Sequence, residues 1–307
     1  MTTPAPAVVE PSDEEPGRVD ARGPSTRSPA PVVLARVRRV LTGGRTRRPA
    51  RIAVAGSHLT AALAPAGLVV VLLACWEVYV RLGSVNPLIL PPPSAIARSV
   101  YDDRGLLWSN FTVTAGEALG GIGLALIAAL GLAGAIHFSR SLRRAVYPLL
   151  IGSQAIPLVL VAPLLSAWLG FGLAPKLAIV VLVSFFPILV ATLDGLAATD
   201  PDLVKLVRTL GATRWQAFAR VEAPNALPGV FTGARVAVVF ALIGAFLGEW
   251  SGASRGLGLL VEQAIPQLQT ARAAAAVTLL AGFALLLFGG LGLAERRLLP
   301  WTLAAAR

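Results

Sequence analysis

Polar side chains embedded in long apolar runs are the residues of this chain that could bind or relay a solute. Glu117, Gln154, Asp194 and Glu249 each interrupt such a run. A polar group in lipid costs free energy unless it faces the interior of a helix bundle, so we expect these four to face inward. Glu117, Asp194 and Glu249 each also have a simpler explanation, as groups near a membrane edge.

Ser153 and Gln154 lie just before Pro157 in one apolar run. A proline removes a backbone hydrogen bond from a helix, and the loosened helix exposes polar atoms to a cavity. Ser153 and Gln154, together with Glu249, are therefore the residues that we predict to line a path through the membrane.

The reactive residues do not form the constellations that catalysis requires. Ser153 and Ser184 have no evident base, and His137 falls at the edge of an apolar run. Gly-x-Ser-x-Gly, His-Glu-x-x-His and the nucleotide-binding Gly-x-x-x-x-Gly-Lys-Ser/Thr are absent. One cysteine and two histidines also leave no metal-binding cluster. We expect neither an enzyme nor a metal or cofactor site, and any energy from ATP must come from another subunit.

The composition is that of a membrane protein. Of 307 residues, 55% are hydrophobic and 14% are charged, and the mean hydropathy is +0.72. The net charge of +11 arises mainly from basic residues between apolar runs, without an aromatic-interleaved basic domain. Anionic membrane lipid is therefore the expected counterion, and we expect no nucleic-acid partner.

Six apolar runs are long enough to cross a membrane as helices, which predicts an all-α polytopic fold. The spans are predicted at about 59–80, 111–138, 148–169, 177–197, 227–250 and 273–294. Pro157 and Pro163 predict a kinked third helix. Residues 58–300 then form a six-span domain. Residues 1–57 are predicted to be a disordered basic tail, and residues 301–307 a short second tail.

The distribution of basic residues predicts which side of the membrane each loop occupies. Seven basic residues lie between residues 36 and 51, three between the second and third spans, four in the loop after the fourth span, and three at the C-terminus. The opposite loops hold six basic residues in total. By the positive-inside rule, both termini and the loop after the fourth span are predicted to be cytoplasmic.

The loop after the fourth span, Thr199 to Pro224, contains several residues that are typical of helix starts, turns and caps. Asp200 and Pro201 favour a helix start, Gly211 favours a turn with positive φ, and Thr213 with Gln216 predicts a second capped helix. Proline at position 224 is expected to stop that second helix. The result is two short amphipathic helices. They present apolar and basic side chains to a partner, or else the apolar face rests on the chain's own helix bundle and the basic residues meet anionic lipid.

The spacing within this loop resembles the EAA loop of ATP-binding-cassette (ABC) importer permeases. That pattern is Glu-Ala-Ala, three residues, Gly, nine residues, and Ile-x-Leu-Pro. Gly211, Val221 and Pro224 match it, Ala223 replaces the leucine, and a basic residue stands at the acidic position. In this family the loop docks on a cytoplasmic ATPase subunit. The resemblance thus implies ATPase coupling by Lys205, Leu206, Val207, Gly211, Trp215, Phe218, Val221 and Pro224.

Three longer stretches, SQAIPLVLVAPLLSAWLGFG, FFPILVATLDGLAATDPDLVKLVRTLGATRWQ and GEWSGASRGLGLL, resemble the nitrate, sulfonate and taurine importer permeases. That group also includes permeases for pyrimidine precursors of thiamine. The resemblance implies a permease that works with an ATPase, an external solute-binding protein and a second permease copy. We expect a small polar organic cargo, with a thiamine pyrimidine precursor ahead of a sulfonate, taurine or nitrate. A membrane scaffold without transport is the remaining alternative.

Overall fold

The structure is a computed structural model that describes residues 57–83 and 85–301. The predicted tails lie outside the described residues, except for Ser57 and Trp301. From Leu63 onward the chain forms one compact unit. The described residues form helices and turns without a strand, which confirms the all-α class.

The helices overlap the predicted apolar runs, with differences at the third and fifth spans. Among the described residues, four helical stretches are long and apolar enough to cross a membrane: Arg104–Phe138, Leu173–Ala197, Arg214–Trp250 and Thr270–Leu298. The number of six spans stays a prediction. The helices are α1 (Ser57–Leu82), α2 (Pro93–Asp102), α3 (Arg104–Phe138), α4 (Arg140–Ser153), α5 (Leu158–Leu169), α6 (Leu173–Ala197), α7 (Pro201–Thr209), α8 (Arg214–Ala217), α9 (Ala223–Trp250), α10 (Leu257–Ala264) and α11 (Thr270–Leu298).

The predicted third span differs in form, because it is broken rather than kinked. The chain leaves α4 after Ser153 and restarts as α5 at Leu158, with Pro157 in an extended conformation before it. Proline disfavours a helical conformation in the preceding residue, which explains the interruption at residues 154–157. Pro148 and Pro163 are accommodated inside α4 and α5.

The expectation that Pro224 stops a helix was wrong. A π-helical segment, Phe218–Glu222, joins α8 to α9, and the amide of Ala223 donates to the carbonyl oxygen of Phe218. The wider π turn accommodates the proline without ending the helix, because Pro224 occupies the first turn of α9. The predicted fifth span therefore begins in the loop, at Arg214 rather than near residue 227.

Helices α3, α6 and α9 form the centre of the bundle, and small residues allow α6 and α9 to approach closely. A Cβ atom at Gly229 would lie 2.5 Å from the carbonyl oxygen of Ala191, and one at Gly233 would lie 2.7 Å from that of Pro187. Glycine is therefore required at this crossing. Alanines of α3 and isoleucine and leucine of α6 fill the adjoining core.

Candidate functional site

The loop after α6 has the local structure that its sequence predicts. The side chain of Asp200 accepts a hydrogen bond of 2.9 Å from the amide of Asp202 and caps α7. Gly211 has a φ of +92°, in the region that favours glycine. Thr213 and Gln216 form the predicted capping box of α8, with hydrogen bonds of 2.8 and 3.2 Å. The elbow is thus specified by residues close together in the chain.

Helix α7 presents an uncovered apolar face. Leu206 is 56% exposed and Leu210 is 79% exposed, whereas Val207 is half-buried. Lys205 is exposed and forms an ion pair of 2.8 Å with Asp202 on the same helix. The alternative in which the bundle covers this face is not what the structure shows, and α7 is left available to a partner.

An aromatic cluster joins the loop to the membrane-spanning helices. The ring of Phe218 lies 5.0 Å from that of Phe138 and 5.4 Å from that of Trp215, measured between centroids. The guanidinium of Arg214 donates a hydrogen bond of 3.1 Å to the carbonyl oxygen of Phe138. His137 contacts Phe218 through its ring. The end of α3 therefore fixes the position of α8.

The remaining loop residues predicted to couple to an ATPase have different surroundings. Val221 and Pro224 are half-buried where the π-helical segment passes into α9, and Trp215 is 63% exposed. The accessible members of the set are thus Lys205, Leu206, Gly211 and Trp215. The other three, Phe218, Val221 and Pro224, lie half-buried where the loop continues into α9.

A cavity of about 830 Å³ lies beside the break between α4 and α5. Ser153 and Gln154 line it together with Asp194, and Phe186 and Phe240 contribute aromatic surface. Its other lining residues are aliphatic or proline, and none of the described residues that line it is basic. A helix break at membrane depth is tolerated where it lines a protein or water-filled cavity, which agrees with this location.

Glu249 lies apart from that cavity and is completely buried. Its carboxylate accepts a hydrogen bond of 2.6 Å from the hydroxyl of Thr114 and another from the amide of Gly258. The Thr114 hydroxyl in turn accepts a hydrogen bond of 2.9 Å from the amide of Leu257. Because a Cβ at Gly256, where φ is +141°, would collide with the Glu249 carboxyl, the turn before α10 requires glycine there. Glu249 thus fastens this turn to the bundle.

Glu117 is also buried, in an ion pair of 2.6 Å with Lys176. The sequence indicates the inward position of Glu117 but not its partner, because Lys176 is 59 positions away and reads as a loop residue. The structure places Lys176 in the first turns of α6, between α3 and α9. The burial of Glu117 and Glu249 agrees with an inward-facing position, whereas their depth in the membrane stays a prediction.

Two further ion pairs join distant parts of the chain. Arg235 of α9 pairs with Glu295 of α11. Arg272, at the start of α11, donates hydrogen bonds of 3.0 and 2.8 Å to the two carboxylate oxygens of Asp103. These bonds, with one from Ser99, hold the pKa of Asp103 below its ordinary value despite partial burial.

Residues 121–299 match the protein family described as "Binding-protein-dependent transport system inner membrane component". The match covers more than half of the chain and includes the elbow, the cavity and the buried Glu249. The chain belongs to this family. It is the membrane permease subunit of an ABC transporter, in the cell membrane, and it works with an ATPase subunit and a solute-binding protein.

Individual relatives of this permease carry more specific names. It is 37% identical over 243 residues to the formylaminopyrimidine transport permease protein ThiX of Halalkalibacterium halodurans, covering 78% of this chain and 96% of that protein. It is 38% identical to the riboflavin transport system permease protein RibX of Chloroflexus aurantiacus, covering 75% and 87%. Identity to the taurine transport system permease protein TauC of Escherichia coli is 28%, covering 76% and 88%.

A solved structure shares the fold of the permease. The crystal structure of an amino acid ABC transporter with histidines superposes with a TM-score of 0.53 and 18% identity. The superposition covers 65% of this chain and 97% of that chain. At this identity the likeness concerns the fold alone.

Proposed function

We propose that this permease imports an uncharged, nitrogen-rich heteroaromatic solute of the formylaminopyrimidine kind. The observation that carries the proposal is the lining of the 830 Å³ cavity. Phe186 and Phe240 offer aromatic surface to a flat ring, and Gln154 and Asp194 offer oxygen acceptors to ring amino groups. The relatives named for formylaminopyrimidine and riboflavin, both planar nitrogen heterocycles, support the same class.

A sulfonate or taurine is the second candidate, supported by the taurine permease relative. A sulfonate group would find no basic side chain among the described residues that line the cavity, and the carboxylate of Asp194 would repel it. The lower identity to that relative, 28% against 37%, agrees with this ranking.

Coupling to ATP hydrolysis is assigned in this proposal to the face of α7. Leu206 and the elbow at Gly211 would contact the ATPase, and the aromatic cluster would transmit its movement to α3 and α9. Each permease copy has one such loop, and ATPases of this class close as pairs around two nucleotides. We therefore propose that two copies assemble, with both termini and α7 on the cytoplasmic side.

Uptake by cells that lack the native gene tests the cargo proposal. Cells that express the wild-type permease with its partner subunits should accumulate formylaminopyrimidine, and Phe240→Ala and Asp194→Asn should each reduce this uptake severalfold. Phe288→Ala, an exposed phenylalanine of α11 outside the cavity, is the matched control. Accumulation of taurine or an alkanesulfonate, with no accumulation of formylaminopyrimidine, would reject the proposal in favour of the second candidate.

A further inference from the structure

A second cavity, of about 350 Å³, lies between α7 and the end of α3. Three arginines from three elements line it: Arg143 from α4, Arg208 from α7 and Arg214 from α8. It shares no lining residue with the 830 Å³ cavity. The two cavities are therefore separate sites, with opposite charge.

The positive charge of this second cavity is not balanced by the residues around it. Among the described residues, no carboxylate forms an ion pair with Arg143, Arg208 or Arg214. Glu222 is the one acid of the described lining, and it already contacts His137 at 2.8 Å. Like charges that converge in a concave surface repel each other, so this arrangement is stabilised when an anion binds among them.

We propose that this cavity binds a phosphate group. A guanidinium presents a flat fork of N–H donors that matches a phosphate, and several such forks around one site are typical of phosphate recognition. Arg214 is already oriented by its hydrogen bond to the Phe138 carbonyl oxygen and by its position 5.2 Å from the Phe138 ring. The volume is ample for one phosphate group with its ester substituents.

The bound phosphate group has two possible sources at this location. The cavity lies where α3 ends, beside Phe138 and Trp215, and tryptophan is enriched at the level of the lipid headgroups. An anionic phospholipid headgroup and a free phosphate present the same chemistry there. Either one would bridge Arg208 on α7 to Arg143 on α4 and fasten α7 to the membrane-spanning helices.

The experiment uses the complete transporter with either Arg143→Gln or Arg208→Gln, and with Arg297→Gln as the matched control. Arg297 is an exposed arginine at the end of α11, outside the cavity. Retained phosphatidylglycerol is counted by native mass spectrometry, and thermal stabilisation is measured with sodium phosphate against sodium chloride at equal ionic strength.

The wild type and Arg297→Gln should bind the phosphate group equally, and each cavity variant should bind it about tenfold more weakly, because one charge-assisted contact is lost. Retention of phosphatidylglycerol without stabilisation by phosphate would identify the lipid as the source, and the reverse result would identify a soluble phosphate. Equal binding by the cavity variants and the control in both assays, or no binding by the wild type in either, would overturn the proposal. Neither readout depends on the cargo or on ATP hydrolysis.

Discussion

At the scale of single residues, Gly211 contributes to the loop after α6 through its backbone conformation rather than through side-chain contacts. Its φ of +92° is disfavoured for other residues, and apart from its chain neighbours no atom of the described residues lies within 4 Å of the place where a Cβ would stand. Within the permease itself, a substitution there therefore changes the backbone conformation without a steric clash.

Gly211→Val is expected to weaken ATPase association, because a β-branched residue with positive φ costs more than about 1 kcal/mol. Gly211→Asn is the matched control, since asparagine tolerates this region far better and should retain most of the association. Co-purification of the ATPase with each variant is the measurement. Equal co-purification of the ATPase with both variants would remove the conformational role assigned to the elbow.

The residues that the sequence predicts correctly are those whose signals are local. Asp200 caps α7 by accepting a hydrogen bond from the amide two residues later, and Thr213 accepts one from the amide of Gln216, three residues later. Residue type and spacing therefore suffice to predict both caps. The partner of Glu117 could not be predicted, because Lys176 comes from another helix and is brought there by packing. The arginines of the 350 Å³ cavity are likewise separated in sequence and meet only in the fold.

At the scale of elements, prolines were the least predictable feature. Pro157 interrupts a helix, Pro163 lies within one, and Pro224 follows a π-helical turn that lets the helix continue. The presence of a proline alone does not distinguish these outcomes. Each depends on whether the neighbouring turns can widen or other groups can donate hydrogen bonds to the freed carbonyl oxygens. The helices themselves were predictable from hydropathy, because their backbone groups must be satisfied internally in lipid.

The ion pair between Asp103 and Arg272 predicts a pH-dependent stability. The lowered pKa of Asp103 means that its carboxylate stabilises the folded state fully above the unfolded value of about 3.9. That contribution is lost as the pH falls below this value and through the lower folded pKa. Asp103→Asn should therefore lower the melting temperature at pH 7, and the difference from wild type should shrink near pH 3.

Thermal unfolding of the purified permease between pH 7 and pH 3 measures this effect. Asp102→Asn is the control, because Asp102 is adjacent and exposed. If the difference in melting temperature between Asp103→Asn and wild type stays constant across this pH range, the carboxylate charge contributes nothing to the stability of the fold.

At the scale of the whole molecule, the distribution of basic residues predicts the side of the membrane that each loop occupies. Single cysteines at Ser28, Ser94, Ser141 and Ser254, in a chain with Cys75 replaced, can be tested with an impermeant thiol reagent. Ser94→Cys and Ser254→Cys should react in intact cells, and the other two only after the membrane is opened. Labelling of Ser28→Cys or Ser141→Cys in intact cells would contradict the predicted orientation.

The central claim is that this chain is the membrane half of an ATP-driven importer and that α7 is its contact with the ATPase. The most direct test is ATP hydrolysis by the reconstituted permease and ATPase, stimulated by the cargo-loaded binding protein. Leu206→Asp places a charge on the exposed apolar face, and Leu88→Asp makes the same change at a similarly exposed leucine between α1 and α2. Leu206→Asp should abolish the stimulation while Leu88→Asp preserves it. Full stimulation in the Leu206→Asp variant would contradict the claim.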